Sequence, residues 1–334
     1  MPPVPPGTEG VPGPVGVMLM TYGSPSDLDD LPRYLSAVRG GRAPDPELLT
    51  EFTRRYRLIG GSPLVRITAE QAAALEERLG PGYRVVAGMR FSDPSIASGL
   101  AGLAAAGCRL AVGIILSPQY SELIMGGYLR AVEAARAEVG PDAPRVIVAG
   151  AWHLEPAFIG AVAARIREAL GHFAEPDRGE VPVLLTAHSL PRRVAEQEPG
   201  YLHQLDETAT AVAEAAGLER ARWHFCWQSA GHEPGEWMTP DFADLVPCLR
   251  AEGHRAVVVA PIQFLADHLE TLYDVAIGAR EQAEAAGMAF AQIRALNADP
   301  GLVEALASVV AATLRDGPTS AAAPAGARGS ETAA

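Results

Sequence analysis

The sequence predicts an α/β protein built as two similar halves, each with a four-stranded parallel sheet. Short runs rich in Val, Ile and Leu alternate with segments of helical spacing, which is a βα repeat. These runs fall into two sets of four, one before and one after about residue 160. They are also unbroken rather than alternating, as strands covered on both faces must be.

The first set is Val15–Met20, Tyr83–Met89, Arg109–Leu116 and Arg145–Ala149. The second is Val181–Ala187, Trp223–Trp227, Ala256–Pro261 and Phe290–Ile293. About sixty residues separate the first two strands, far more than a crossover needs, with Leu28–Arg39, Pro46–Ile59 and Ile67–Leu79 as helices. This insertion, residues 24–80, is expected to wall one side of a cleft. The helical run Pro156–His172 and the polar stretch Glu175–Glu180 join the halves, giving domains at 15–160 and 161–314. Tyr201–Ala216 and Leu269–Ala286 are helices of the second half, and the last helix, 302–314, is a candidate to pack back on the first. Residues 1–14, rich in Pro and Gly, read as a disordered arm, and the Ala/Gly/Ser/Thr-rich 317–334 as a disordered tail.

With 334 residues, 48% of them hydrophobic, the chain has enough apolar surface for two compact domains. A formal charge of -13 argues against a nucleic-acid partner, which needs a basic face. Cys108, Cys226 and Cys248 have no CxxC spacing, so neither a disulfide framework nor a closed metal site is written, and a reducing cytoplasm fits. The N-terminus lacks the pattern of a signal peptide, and no apolar run reaches the ~18 residues of a transmembrane anchor. Gly23-Ser24-Pro25 is not a dinucleotide fingerprint and no Walker A pattern occurs, so a nucleotide cofactor has no support.

Ligands of open parallel sheets gather at the carboxyl ends of strands, and two such ends here are rich in titratable residues. His188 follows a strand in Leu185-Thr186-Ala187-His188-Ser189-Leu190-Pro191, where Pro191 keeps the chain from curling at once into a helix. Alone it reads equally as an imidazole bonded to a loop carbonyl. Its place at a βα junction, matched by Asp267, His268, Glu270 and Asp274 after the strand ending at Pro261, makes it a site candidate. Glu270 and Asp274, four apart on one helix face, repel unless a cation or proton lies between them. A carboxylate ladder leading to a metal and a solvated acidic face both stay open. Tyr22, after the first strand, is either a ligand or packing beside the Gly23 turn.

Within the insertion Arg39, Arg42, Arg54, Arg55 and Arg57, interleaved with Tyr34 and Tyr56, make a basic patch in an acidic chain. Guanidinium forks suit carboxylates, although for Arg54 and Arg57 a salt-bridged helix face is the preferred reading. Gly60-Gly61-Ser62-Pro63 offers amides and a hydroxyl to an anion. The loop from Trp227 to Trp237 carries two indoles, which are either walls for a flat ligand or core.

Taken in order from about Gly16 to Leu314, five motifs together resemble the ferrochelatases. They are Tyr22-Gly23-Ser24-Pro25, Ile59-Gly60-Gly61-Ser62-Pro63-Leu64, Thr186-Ala187-His188-Ser189-Leu190-Pro191, Trp227-Gln228-Ser229 and Asp267-His268-Leu269-Glu270-Thr271-Leu272-Tyr273-Asp274. Tyr22, the run Arg39 to Arg42 followed by Ala-Pro-Asp-Pro-Glu, and Trp227-Gln228-Ser229 are similar to the coproporphyrin-using branch of Gram-positive-type bacteria. The resemblance implies two flavodoxin-like (Rossmann-type), doubly wound domains with a porphyrin cleft between them, the type II chelatase fold. It implies a lyase that inserts Fe²⁺ into coproporphyrin III to give Fe-coproporphyrin in haem biosynthesis, with Fe²⁺ as substrate and no cofactor.

Carried over by motif, His188 and Glu270 are the catalytic and metal-binding pair, Tyr22 is axial to the product iron, and Asp274 lies on the outer metal path. Tyr22, Ser24, Arg39, Arg55, Tyr56, Ser62, Tyr128 and Trp227 are the implied porphyrin contacts. A neutral His188 would accept a pyrrole proton while Glu270 balances the arriving charge. The chain also departs from the family pattern. Gly61 abuts Ser62 where many relatives have a further residue, and Gly278 stands where relatives can carry an acid, with Glu281 as the candidate substitute. No cysteine follows Cys248, so no iron–sulfur cluster is expected. A cytoplasmic monomer in transient contact with neighbouring haem-pathway enzymes completes the expectation. Its rivals are a protoporphyrin IX ferrochelatase giving haem b, a sirohydrochlorin chelatase, and a non-catalytic haem or metal carrier.

Overall fold

The apolar runs become eight strands in two sheets. The first joins β1 (Val15–Thr21), β2 (Tyr83–Met89), β3 (Leu110–Ile115) and β4 (Arg145–Val148) in the order β2-β1-β3-β4. The second joins β5 (Val183–His188), β6 (Trp223–Gln228), β7 (Ala256–Pro261) and β8 (Ala289–Gln292) in the order β6-β5-β7-β8. Every pairing between these strands is parallel. This is the flavodoxin-like doubly wound order, in which winding reverses between β1 and β3 and again between β5 and β7. All residues of β1, β3 and β7 are buried, which is why their sequences are unbroken apolar runs. One shift of boundary matters: β5 reaches His188, which is therefore in register with Gln228 of β6 rather than in the loop beyond.

The computed structural model describes residues 13–174, 177–231 and 235–316. The tail, most of the arm, and His232, Glu233 and Pro234 of the indole loop lie outside the described residues. Helices α1 (Leu31–Val38), α2 (Pro46–Leu58) and α3 (Leu64–Leu79) fill the insertion, and α4 (Ile96–Ala105) and α5 (Glu122–Val139) complete the crossovers of the first sheet. Then come α6 (Pro156–Leu170), α7 (Arg192–Ala195), α8 (Pro199–Ala216), α9 (Phe242–Ala251), α10 (Arg280–Ala285) and α11 (Pro300–Asp316). The starts of four helices follow from capping chemistry. Asp45, Ser95, Ser121 and Asp241 each accept a first-turn N–H of α2, α4, α5 and α9. Each such cap is worth about 1 kcal/mol.

Leu269–Ala286, expected as one regular helix, is instead a π-helix over Glu270–Ala279 that continues as α10. Such i→i+5 winding is rare and gathers at functional sites.

α11 packs on α3 and α6, and α6 on α8. One apolar cluster thus runs from Val17 and Leu19 of β1 through Leu306 and Val310 of α11 to Val183 and Leu185 of β5. The insertion has its own small core, Leu31, Tyr34, Leu35 and Tyr56, and Leu269 at the start of the π-helix belongs to it. That contact seats the insertion directly against the acidic element of the second half. Among the described residues no helix is long and apolar enough to cross a membrane.

Candidate active site

His188 is the last residue of β5, at the switch point where ligands of such sheets collect. Its ring Nδ1 lies 2.6 Å from the Ser189 carbonyl, a contact that only an N–H makes favourable. In the neutral imidazole the proton therefore sits on Nδ1 and the lone pair on Nε2. The loop-carbonyl reading describes one nitrogen, and the other is left for chemistry. Phe264 stands edge-on to the ring with centroids 6.4 Å apart, and it also meets His268 at 4.5 Å.

Glu270 is bonded to His268, whose Nε2 lies 3.1 Å from Glu270 Oε2. His268 Nδ1 is already a donor to the Ala266 carbonyl at 2.8 Å. The Nε2–Glu270 contact consequently holds a proton, on one side or the other.

Asp274 ties the site together. Burial raises its carboxyl above the usual carboxylate range; the Ser229 hydroxyl lowers it, Glu270 raises it, and Arg55 and His188 lower it. Groups from β5, the loop after β6, the π-helix and α2 therefore meet at one place. Ser229 reaches it from a backbone φ of 59°, a left-handed conformation that costs a non-glycine residue of order 1 kcal/mol. Arg55 Nη1 lies 3.4 Å from Asp274, its Nε bonds Glu51 at 2.8 Å, and its guanidinium lies over the Tyr273 ring at 4.9 Å. It bridges the insertion to the π-helix before any propionate arrives.

The opposite wall follows β1. Tyr22 is 44% exposed, tilted on Phe91 with centroids 5.1 Å apart and edge-on to Tyr128 at 6.0 Å. Beside them lies Arg90, unread in the sequence, at 4.6 Å from Phe91, 5.5 Å from Tyr128 and 5.6 Å from Tyr22. A Cβ on Gly127 would come within 2.0 Å of that guanidinium, so glycine on α5 leaves Arg90 its present place. Gly23, at φ +84°, would drive a Cβ to 1.9 Å from Ser92 Oγ. Its absence lets Ser92 accept the Ser24 N–H at 3.1 Å, while Tyr34 donates its hydroxyl to the Gly23 carbonyl at 3.0 Å. Burial pushes the Tyr34 hydroxyl well up, and Tyr56, Glu270, Tyr128 and Tyr22 add to the shift. Tyr34 thus stands within electrostatic reach of both the Tyr22 wall and Glu270 of the acid cluster.

Three implied porphyrin contacts, Ser24, Tyr56 and Tyr128, are buried, Tyr128 against Tyr22 and Tyr56 in the small core of the insertion. Trp227 is buried to the same degree. It is 5% exposed, edge-on to Phe225 at 5.1 Å and clustered with Ala187, Tyr201 and Leu205, because its position on β6 turns the indole inward. Ser62 accepts the Leu64 N–H at 3.4 Å, next to Gly60 and Gly61 at φ +72° and +90°. Arg54 bonds Glu51 at 2.8 Å and also Tyr273, on a salt-bridged face. Arg39 differs: its Nε is buried without a hydrogen-bond partner among the described residues. Glu281 is exposed at the start of α10. Ser229, which reaches Asp274, lay inside a quoted motif as a neutral polar residue; for Gln263, which reaches His188, and for Arg90 no sequence signal pointed to a site.

Two parallel sheets in flavodoxin order, with an imidazole and an acidic ladder at adjoining strand mouths, define a chelatase of the type II fold. Solved structures of that kind are similar in fold. CbiX, the terminal enzyme for biosynthesis of siroheme in denitrifying bacteria, has a TM-score of 0.52 at 15% identity, covering 90% of this chain and 98% of its own. SirB from Bacillus subtilis with Fe3+ has a TM-score of 0.53 at 10% identity, covering 90% and 96%. The sequence profile of the Ferrochelatase family matches residues 14–314. A ferrochelatase of Deinococcus radiodurans is 38% identical over 301 residues, 89% of this chain and 95% of that one. A coproporphyrin III ferrochelatase of Geobacillus kaustophilus is 36% identical over 302 residues, 88% and 94% of the two chains. That of Bacillus subtilis is 33% identical over 303 residues, 89% and 96%. The chain belongs to the ferrochelatase family, enzymes that insert iron into a porphyrin.

Proposed function

We propose that the porphyrin is coproporphyrin III and that the product is Fe-coproporphyrin for haem biosynthesis. His188 and Glu270 receive Fe²⁺, Asp274 leads to them, and Tyr22 stands on the other face of the ring as axial ligand to the product iron. The observation that supports the substrate is the basic patch of Arg39, Arg42 and Arg55 on the insertion of a chain of net charge -13, with the Nε of Arg39 buried and without a hydrogen-bond partner among the described residues. An unpaired buried guanidinium atom is costly until an anion meets it. Coproporphyrin III has a propionate on every pyrrole ring, where protoporphyrin IX has them on half, so it makes fuller use of Arg39, Arg42 and Ser62. Relatives whose names specify coproporphyrin III support the same choice.

The chemistry follows from the side chains. Two pyrrole N–H protons must leave as iron arrives; the Nε2 of neutral His188 accepts one and solvent water carries off the other. The proton shared by His268 and Glu270 can move to His268, leaving Glu270 anionic beside the metal. Insertion needs no further cofactor and no iron–sulfur cluster, and the enzyme acts as a cytoplasmic monomer in transient contact with neighbouring haem-pathway enzymes.

Anaerobic turnover of Fe²⁺ with each porphyrin tests the proposal. Coproporphyrin III should exceed protoporphyrin IX in kcat/KM by at least about tenfold, or ~1.4 kcal/mol. A preference for protoporphyrin IX overturns the substrate. His188→Ala should lose about 10²-fold or more of insertion while still quenching coproporphyrin fluorescence on binding, and Glu270→Gln should be nearly as damaging. Near-normal turnover in either variant removes that residue from the mechanism.

A further inference from the structure

We propose that Gln263 is a positioning residue for His188, anchored in turn by the buried hydroxyl of Tyr201. The inference rests on the role given to His188 above. In the β5·β7 ladder Thr186 faces Pro261, and the Ile262 N–H donates to the Thr186 carbonyl at 2.9 Å. One step further along a parallel ladder, the His188 N–H would find the Ile262 carbonyl. β7 has ended at Pro261, so that bond is not made. The side chain of Gln263 supplies the acceptor instead, with Oε1 at 2.9 Å from the His188 N–H.

The other end of the same amide donates to the Tyr201 hydroxyl on α8. Tyr201 is 2% exposed, so the anchor is a fixed point of the core rather than a surface group. On the β6 side the strand end is already clamped, since the Ser189 N–H donates to the Gln228 carbonyl at 2.7 Å and its hydroxyl to the Met238 carbonyl at 3.1 Å. Gln263 holds the β7 side.

An amide suits this place because it accepts and donates at once. Alanine leaves both the His188 N–H and the Tyr201 hydroxyl without that partner. Glutamate keeps an acceptor for the N–H and can accept the Tyr201 proton with its second oxygen. Misplacing a reacting group by about 1 Å can cost of order 10²-fold in rate, so a partial loss of this clamp should appear in kcat rather than in porphyrin binding.

Gln263→Ala, Gln263→Glu and Tyr201→Phe are compared with the parent enzyme and with His188→Ala in anaerobic Fe²⁺ insertion across pH. Gln263→Ala should lose about tenfold or more in kcat and keep its porphyrin KM within about twofold. Gln263→Glu should recover most of the rate, and Tyr201→Phe should fall between. A purely structural role would lower the melting temperature and worsen kcat and porphyrin KM together. Should His188→Ala abolish turnover while Gln263→Ala and Tyr201→Phe match the parent, the positioning role alone is overturned. Should His188→Ala itself turn over normally, the reading of the site falls and this inference with it.

Discussion

At the scale of single residues the pH dependence hangs on Asp274. Its carboxyl lies above the ordinary range because burial penalises the charged form. For an acid whose folded value exceeds its unfolded one, the charge opposes folding above the unfolded value, and the penalty is relieved as pH falls through the folded value. Metal binding needs the carboxylate, so iron insertion should decline on the acid side as Asp274 takes up a proton. The Ser229 hydroxyl lowers this carboxyl, so Ser229→Ala should raise it further and move the acid limb of kcat/KM for Fe²⁺ to higher pH. An unmoved limb, or one displaced to lower pH, excludes Asp274 as its source. His188, Glu270 and Asp274 were legible because ionisable groups at strand ends are unusual in sequence. Ser229 and Gln263 were not, since neutral polar residues crowd every loop. The packing of Trp227 was not legible either, because an indole at a strand end reads the same whether it faces cleft or core.

Among the elements, the strands could be read to within a residue or two because an unbroken apolar run has few other meanings. The π-helix could not, since Glu270 and Asp274 fall on one side of an α-helix and of a wider one alike. Its geometry makes Gly278 informative. A Cβ there would meet only the Tyr273 carbonyl, at 3.7 Å, which is ordinary contact. Gly278→Asp should therefore fold without loss, since glycine is the weakest helix former apart from proline. It should lower the KM for Fe²⁺ by extending the acidic ladder one turn outward. An unchanged iron KM would mean that the metal does not travel along this face. Gly127→Ala is the contrasting case, because the new methyl collides with Arg90. It should displace the Arg90 guanidinium and disturb the Tyr22 wall, read as a changed porphyrin KM, with little loss in denaturant unfolding because a flexible side-chain end yields and alanine is the better helix former.

The whole molecule carries features that no single motif displays. That α11 would be buried was implicit in its sequence, since apolar residues such as Leu302, Val303, Ala305 and Ala307 face several directions. That it packs on α3 and α6 was not, because periodicity gives the faces of a helix and not their partners. The two halves also meet through Gln119, which donates to Thr208 at 2.9 Å, and through Gln204, which bonds both backbone groups of Tyr120 at 2.7 and 3.1 Å. With that side pinned, the field of the protein at the cleft mouth becomes a property of the assembled molecule. A net charge of -13 draws in a divalent cation over distances comparable to the Debye length, ~8 Å at physiological ionic strength and ~30 Å at 0.01 M. Raising salt between those limits should lower kcat/KM for Fe²⁺ severalfold. If Asp274 and Glu270 dominate the local field, Asp274→Asn should flatten that slope, whereas neutralising the distant, exposed Glu304 should leave it nearly intact. A slope of opposite sign, or one equally sensitive to both substitutions, would show that iron is not guided by the acidic ladder.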